Sequence, residues 1–146
     1  MSLTLTLAVA DLERTAIFYG EILRLPLQLL TPLPGQPSVL LLCAGDDNIL
    51  FRDIENFEAR HPALFQNIDR HPLGVGVVLE FPSQALEPII ADLDRRSIHL
   101  LYELEDAEFG RREIWLHDPD GYLVVLREEG LPPKKMPRHP GLVESL

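Results

Sequence analysis

The chain opens on strict alternation, Leu3-Thr4-Leu5-Thr6-Leu7-Ala8-Val9, the period of a strand whose two faces meet different surroundings. The period then changes. Asp11 suits a helix N-cap, and Leu12, Ala16, Tyr19 and Leu23, with Ile22 beside them, recur at spacings of three and four. That pattern predicts a helix over 12–23 with one buried stripe, and Pro26 prevents it from continuing. Strands are expected at roughly 26–31, 37–43 and 48–53, divided by Pro-Leu-Pro-Gly and Gly-Asp-Asp-Asn. The stretch from Ile54 to Arg70 reads as a connector, helical around Ala63-Leu64-Phe65. The pattern then restarts with a strand over 75–81, Ser83 as N-cap, and a helix over 85–95 burying Leu86, Ile89, Ile90 and Leu93. Strands at about 98–103, 111–117 and 122–127 follow.

Equivalent positions in the two halves lie about 72 to 75 residues apart: Val9 with Phe81, Leu25 with Ile98, Arg52 with Arg127. The expectation is an α+β domain of two tandem βαβββ modules, about 3–54 and 73–128, with a connector over 55–72. At 146 residues the chain is long enough for one domain with a real hydrophobic core. That domain would span 1–129. Residues 130–146, with four prolines and Lys134-Lys135, show no periodicity. They are expected to form a Pro-rich C-terminal tail, extended or partly disordered, whose positive charge suits docking onto an acidic body or a second subunit.

Composition narrows the function. Lys and Arg total 13 against 23 Asp and Glu, a net charge of −10, which argues against a nucleic-acid partner and weakly favours a cationic ligand. Cys43 is the single cysteine, so no intrachain disulfide forms, and in the run Val39-Leu40-Leu41-Leu42-Cys43 it reads as a buried small hydrophobe. With no signal peptide and no apolar run of spanning length, a soluble cytoplasmic protein is expected, with no membrane partner.

The densest signal is Arg112-Glu113-Ile114-Trp115-Leu116-His117, then Asp118-Pro119-Asp120-Gly121, then Tyr122-Leu123-Val124-Val125-Leu126-Arg127. It predicts two strands joined by a type I turn, with Asp first, Pro second and Gly fourth. Together with Val9-Ala10-Asp11-Leu12, Phe18-Tyr19 and Leu23-Arg24-Leu25-Pro26, this hairpin resembles the motifs of the glyoxalase, bleomycin-resistance and extradiol-dioxygenase superfamily, the vicinal oxygen chelate proteins. The resemblance spans about residues 3 to 128 and departs at Arg24, where that family usually has glycine. It implies mixed sheets that curl around a central cavity, with helices outside, and often a homodimer.

The resemblance also implies where a divalent metal would be held: on the first and last strand of each module. Those positions fall on Thr4 and Leu50 in the first module and on Gly76 and Val125 in the second. A threonine hydroxyl is a poor donor and the other three side chains supply none, so no metal and no other cofactor is expected. Of the histidines, His61, His71 and His139 precede prolines, His99 begins a strand, and His117 shares a face with Trp115.

Alternation sorts the cavity side of each strand from the helix side. Thr4, Thr6 and Ala8 should face inward, as should Gly76, Val78 and Glu80, then Glu113, Trp115 and His117, then Leu123, Val125 and Arg127. The candidate ligand-binding set is Thr4, Thr6, Leu50, Gly76, Val78, Glu113, Trp115, Val125 and Arg127, with no catalytic residue assigned. Trp115 suits ordinary core filling nearly as well, and Glu113 suits an exposed strand residue paired with Arg111 or Arg127. The expected function is metal-independent binding of a small molecule, antibiotic-like or cationic, stacked on Trp115. The alternative is a metal-dependent lyase, isomerase or dioxygenase, or metal-free acid–base chemistry through Glu113 or His117.

Overall fold

The computed structural model describes residues 1–31, 33–106, 108 and 110–128; the expected tail, with His139, lies outside the described residues. Strand β1 (Thr4–Val9) leads through Asp11 into helix α1 (Leu12–Ala16), which widens into a π-helical turn over Ile17–Ile22. Strands β2 (Leu27–Leu30), β3 (Val39–Ala44) and β4 (Asp47–Asp53) complete the first module. Helices α2 (Ile54–Arg60) and α3 (Pro62–Phe65) and a 3-10 turn over Ile68–Arg70 form the connector. The second module is β5 (Val78–Ser83), α4 (Glu87–Arg95), β6 (Tyr102–Asp106), β7 (Arg111–His117) and β8 (Leu123–Glu128).

The α+β class and the duplicated βαβββ order are as expected. Each module builds its own four-stranded mixed sheet, in the orders β1-β4-β3-β2 and β5-β8-β7-β6. In both, the first strand runs parallel to the last and the other pairings are antiparallel. Neither sheet closes, so β1 and β5 are edge strands. One face of each sheet is covered by helix, and alternation decides which side chains go there. Leu7, Val9, Leu42 and Phe51 from the first sheet and Phe81, Ile114, Leu116 and Val124 from the second join one continuous core. Each such side chain contributes roughly 1.5–3 kcal/mol through burial. Tyr19 ties the halves together: its ring centre lies 4.7 Å from that of Phe51 and 6.5 Å from that of Phe81.

Local chemistry explains both the agreements and the departures. Asp11 caps α1 as expected, its Oδ1 accepting from the N–H groups of Glu13 and Arg14. The π turn closes when the Leu23 N–H reaches back five residues to the Phe18 carbonyl at 2.9 Å. Arg24 then takes a left-handed conformation, φ 59°, so the turn keeps a glycine-like backbone although the residue is arginine.

Five expectations are corrected. Residues 73–76 form a turn, not the start of a strand: Gly74 and Gly76 take φ of 84° and 82°, and the Val77 N–H bonds to the Gly74 carbonyl. Ser83 ends β5 and caps nothing; the Leu86 N–H at the start of α4 bonds instead to Glu128 Oε1 at 3.2 Å. The sixth strand starts at Tyr102, because Ser97 (φ 57°) and the Ile98 N–H, bonded to the Leu93 carbonyl, still serve to terminate α4. His99 therefore precedes the strand and is exposed. The connector is more helical than its composition suggests, since Asp53 caps α2 through the Glu55 N–H at 2.8 Å. Finally, Cys43 is exposed: Leu40 and Leu42 take the core parity on β3, which turns Cys43 to the other side.

Candidate ligand-binding face

The β7–β8 hairpin is held by one carboxylate. Asp118 Oδ1 accepts from the N–H groups of Asp120 and Tyr122, each at 2.9 Å, and Oδ2 accepts from the Tyr19 hydroxyl at 2.6 Å. The Gly121 N–H closes the turn on the Asp118 carbonyl at 3.1 Å. Burial raises the Asp118 pKa above its ordinary value, and it outweighs the three donors that pull the other way. Asp120 reaches the first module, its Oδ1 accepting from the Ala10 N–H at 2.9 Å and from Arg14 at 3.2 Å. Tyr122 donates its hydroxyl to the Ala8 carbonyl at 2.8 Å, and burial pushes its pKa up to about 12. Pro119 is exposed while Asp118 is buried. The turn thus fastens the two modules together.

The same hairpin presents its other parity away from the helices, and the ladder sets that face out in rows. One row runs Tyr102, Trp115, Val125, Glu80 across β6, β7, β8 and β5. The next runs Leu104, Glu113, Arg127, Pro82, and beyond it Arg111 stands opposite Asp106. On the other side of the tryptophan row lie His117, Leu123 and Val78. Tyr102 meets Trp115 edge to face, with ring centres 5.9 Å apart. Trp115 donates its Nε1–H to Glu113 Oε1 at 3.1 Å. That bond turns Glu113 towards the indole, and Glu113 forms no ion pair with the Arg127 directly opposite it. Val125 is fully buried although it lies outside the main core. Glu80, Arg111, Glu113 and Arg127 line a cavity of about 360 Å³ at one end of the face, together with parts of Arg112 and Glu128. Arg112 itself pairs with Glu87 and Glu103.

Comparison with solved structures places this arrangement. A member of the glyoxalase, bleomycin-resistance and dioxygenase superfamily from Sphaerobacter thermophilus DSM 20745 superimposes with a TM-score of 0.59, at 17% identity, over 88% of this chain and 97% of that one. The chain has the fold of that superfamily. A lactoylglutathione lyase from Agrobacterium tumefaciens shares it with a TM-score of 0.56, at 20% identity, over 87% of this chain and 92% of its own. So does an antibiotic binding protein from Streptomyces sp. CB03234, with a TM-score of 0.55 at 20% identity, over 86% and 92%. No family model matches the sequence, and no curated protein matches it significantly.

The superfamily fold implies metal positions, and the donor set here does not fit them. Thr4 lies on β1 opposite Asn48, and Leu50 lies on β4 opposite Thr6. Gly76 sits in the turn before β5, so the register gives its place to Val78, which opens β5 as Thr4 opens β1. Val125 stands between Glu80 and Trp115. Hydroxyl, alkyl and hydrogen side chains do not make a divalent site, and among the described residues no three His, Cys, Asp or Glu side chains cluster to replace them. His61, His71, His99 and His117 are all exposed.

The predicted ligand-binding residues divide between the two sheets. Thr4, Thr6 and Leu50 share the open face of the first, while Val78, Glu113, Trp115, Val125 and Arg127 share the open face of the second. Glu80, Arg111 and Tyr102 join the second group without having been in the predicted set. Glu80 and Arg111 share the parity of Val78 and Glu113, which was the available signal. Tyr102 gave none, because the sixth strand was misplaced along the chain.

Proposed function

We propose that this chain is a metal-independent small-molecule-binding protein of the superfamily whose fold it has, and that its ligand lies on the open face of the second sheet. The observation that carries the reading is the Tyr102–Trp115 pair, half-open to solvent above a buried Val125 and beside a charged cavity. An exposed aromatic floor with a few polar anchors is what a small planar ligand needs. A metal-independent site is supported by the unsuitable side chains at Thr4, Leu50, Val78 and Val125. An antibiotic-like ligand is supported by the fold shared with an antibiotic binding protein, and a cationic one by the net charge of −10. Exposed Leu104 on the edge strand β6, with exposed Leu101 just before it, supports a homodimer. No helix among the described residues is long and apolar enough to cross a membrane, and the proposed location is the cytoplasm.

Elemental analysis of protein purified without chelator tests the choice against a metal-dependent lyase, isomerase or dioxygenase. The expected content of Fe, Mn, Ni and Zn is far below one equivalent per chain; a full equivalent overturns the reading. Trp115 is the only tryptophan, so its emission reports on the face alone. A ligand that raises the melting temperature without changing that emission binds elsewhere.

A further inference from the structure

The cavity beside Trp115 holds two guanidinium groups that form no ion pair among the described residues, although Glu80, Glu113 and Glu128 also line it. Arg111 and Arg127 lie on β7 and β8 with the parity of the open face, one row apart, diagonal neighbours at about 7–8 Å between Cα atoms. Arg112, which lines the same cavity, is by contrast taken up by Glu87 and Glu103. What sets Arg111 and Arg127 apart from the other unpaired arginines is their place, together on the open face and lining one cavity with Glu80 and Glu113. The natural partner of Arg127 is Glu113, directly across the ladder. The Trp115 Nε1–H holds that carboxylate instead, so the tryptophan both floors the site and keeps Arg127 free.

We propose that Arg127, assisted by Arg111, is an anion subsite, and that the ligand class is an aromatic carboxylic acid. Its ring packs on Trp115 and Tyr102, and its carboxylate reaches Arg127. The two groups are separated by one row, two residues along β7, or about 7 Å at the rise of a strand. A ring carrying its carboxylate on a short aliphatic chain spans that distance. Guanidinium suits the task because its planar fork matches both carboxylate oxygens. Glu80 and Glu113 set the opposite requirement, favouring a hydroxyl or ammonium donor on the same ligand and rejecting a polyanion. This rests on the reading that the open face of the second sheet is the ligand site, and replaces a simple cation there with a ligand bearing an acid.

The experiment compares three probes of one shape, naphthylpropionate, naphthylpropionamide and naphthylpropylamine. Affinity is read by calorimetry, and location by the single indole N–H resonance of Trp115. The acid is expected to bind on the order of tenfold more tightly than the amide and to shift that resonance. The ratio of acid to amide affinity should fall towards one in Arg127→Gln and fall less in Arg111→Gln. Circular dichroism confirms that the variants fold. If the amide or the amine binds as well as the acid while shifting the indole signal, the anion subsite is wrong and the binding face stands. If the acid is preferred but Arg127→Gln keeps the preference, the subsite lies elsewhere and the assignment fails. If no probe moves the indole resonance, the binding face itself is overturned.

Discussion

Replacing Tyr19 by phenylalanine removes one hydroxyl from the point where the modules meet. The ring stays, with its contacts to Phe51 and Phe81; what is lost is a 2.6 Å bond to Asp118 Oδ2 inside the core. A hydrogen bond to a charged acceptor is worth about 1.5–3 kcal/mol. The two remaining donors serve Oδ1, so the Oδ2 lone pairs are left buried without a partner, and a loss of about 2 kcal/mol is expected near neutral pH. At about 3 °C per kcal/mol for a domain of this size, the melting temperature falls by about 6 °C. The pH dependence is sharper. Asp118 has a folded pKa raised above 3.8, chiefly by burial. Its ionisation therefore costs stability progressively as pH rises from the unfolded value through the folded one, and the cost is full above that. The Tyr19 hydrogen bond lowers this pKa, so its removal raises the pKa further and enlarges the cost at neutral pH. Once Asp118 is protonated, the donor is no longer needed. The deficit of Tyr19→Phe should thus be full near neutral pH and shrink as pH falls through the raised folded pKa of Asp118. Urea titrations followed by circular dichroism at several pH values measure it. A deficit below about 0.5 kcal/mol at neutral pH, or one that is constant or grows with acid, refutes the account of Asp118 as a buried anion that Tyr19 stabilises.

Three further substitutions separate the parts of the scaffold. Gly74→Ala would set a Cβ 2.7 Å from the Gly121 carbonyl oxygen and 2.8 Å from the Tyr122 Cα, at a φ of 84°; both neighbours are backbone, so a loss of about 3 kcal/mol or more is expected in urea titration. Arg24→Gly relieves a left-handed arginine at φ 59° and should gain about 0.5–1 kcal/mol, the steric relief exceeding the entropy that glycine adds to the unfolded chain; an unchanged midpoint would mean the turn holds no strain. Asp11→Ala leaves the Glu13 and Arg14 N–H groups without their acceptor and should cost about 1 kcal/mol, seen as a lower melting temperature with no change in the Trp115 environment.

The elements that were legible in the sequence are those whose period is strong and whose ends are punctuated by local chemistry. β1 alternates cleanly, β7 and β8 are marked out by the turn between them, α1 has its own cap in Asp11, and the Asp118 turn carries its residue preferences in order. Where the deciding partner is distant, the reading failed. The start of α4 is fixed by Glu128, forty-two residues away, and Ser83, a good cap by type, is still in the strand. Val75 to Val77 look like a strand because valine favours one. The two glycines between and before them instead form a turn that nestles against Gly121. Cys43 shows the limit of an apolar run: a continuous stretch does not reveal which parity is buried. For the site, parity alone assembled Val78, Glu113, Trp115, Val125 and Arg127. Parity does not say that Glu113 would be held by its neighbour two residues on and not by the arginine across from it.

That last contact links the scaffold to the ligand face. The β7–β8 hairpin spends one parity on the fold, through Ile114, Leu116, Val124 and Leu126 in the core, and the other on the exposed rows. Because adjacent residues point to opposite faces, the two roles are separable by substitution. Tyr19→Phe acts through the Asp118 turn and lowers stability, yet touches no residue of the tryptophan or arginine rows. It should leave the acid-to-amide preference intact wherever the protein remains folded. Trp115→Phe keeps a smaller aromatic floor and removes the Nε1–H that holds Glu113. The freed carboxylate is then one ladder step from Arg127 and can neutralise it. The acid preference should fall in this variant even though no arginine has been changed, while stability moves by less than about 1 kcal/mol. An undiminished preference in Trp115→Phe would mean that Arg127 is kept free by something other than the indole.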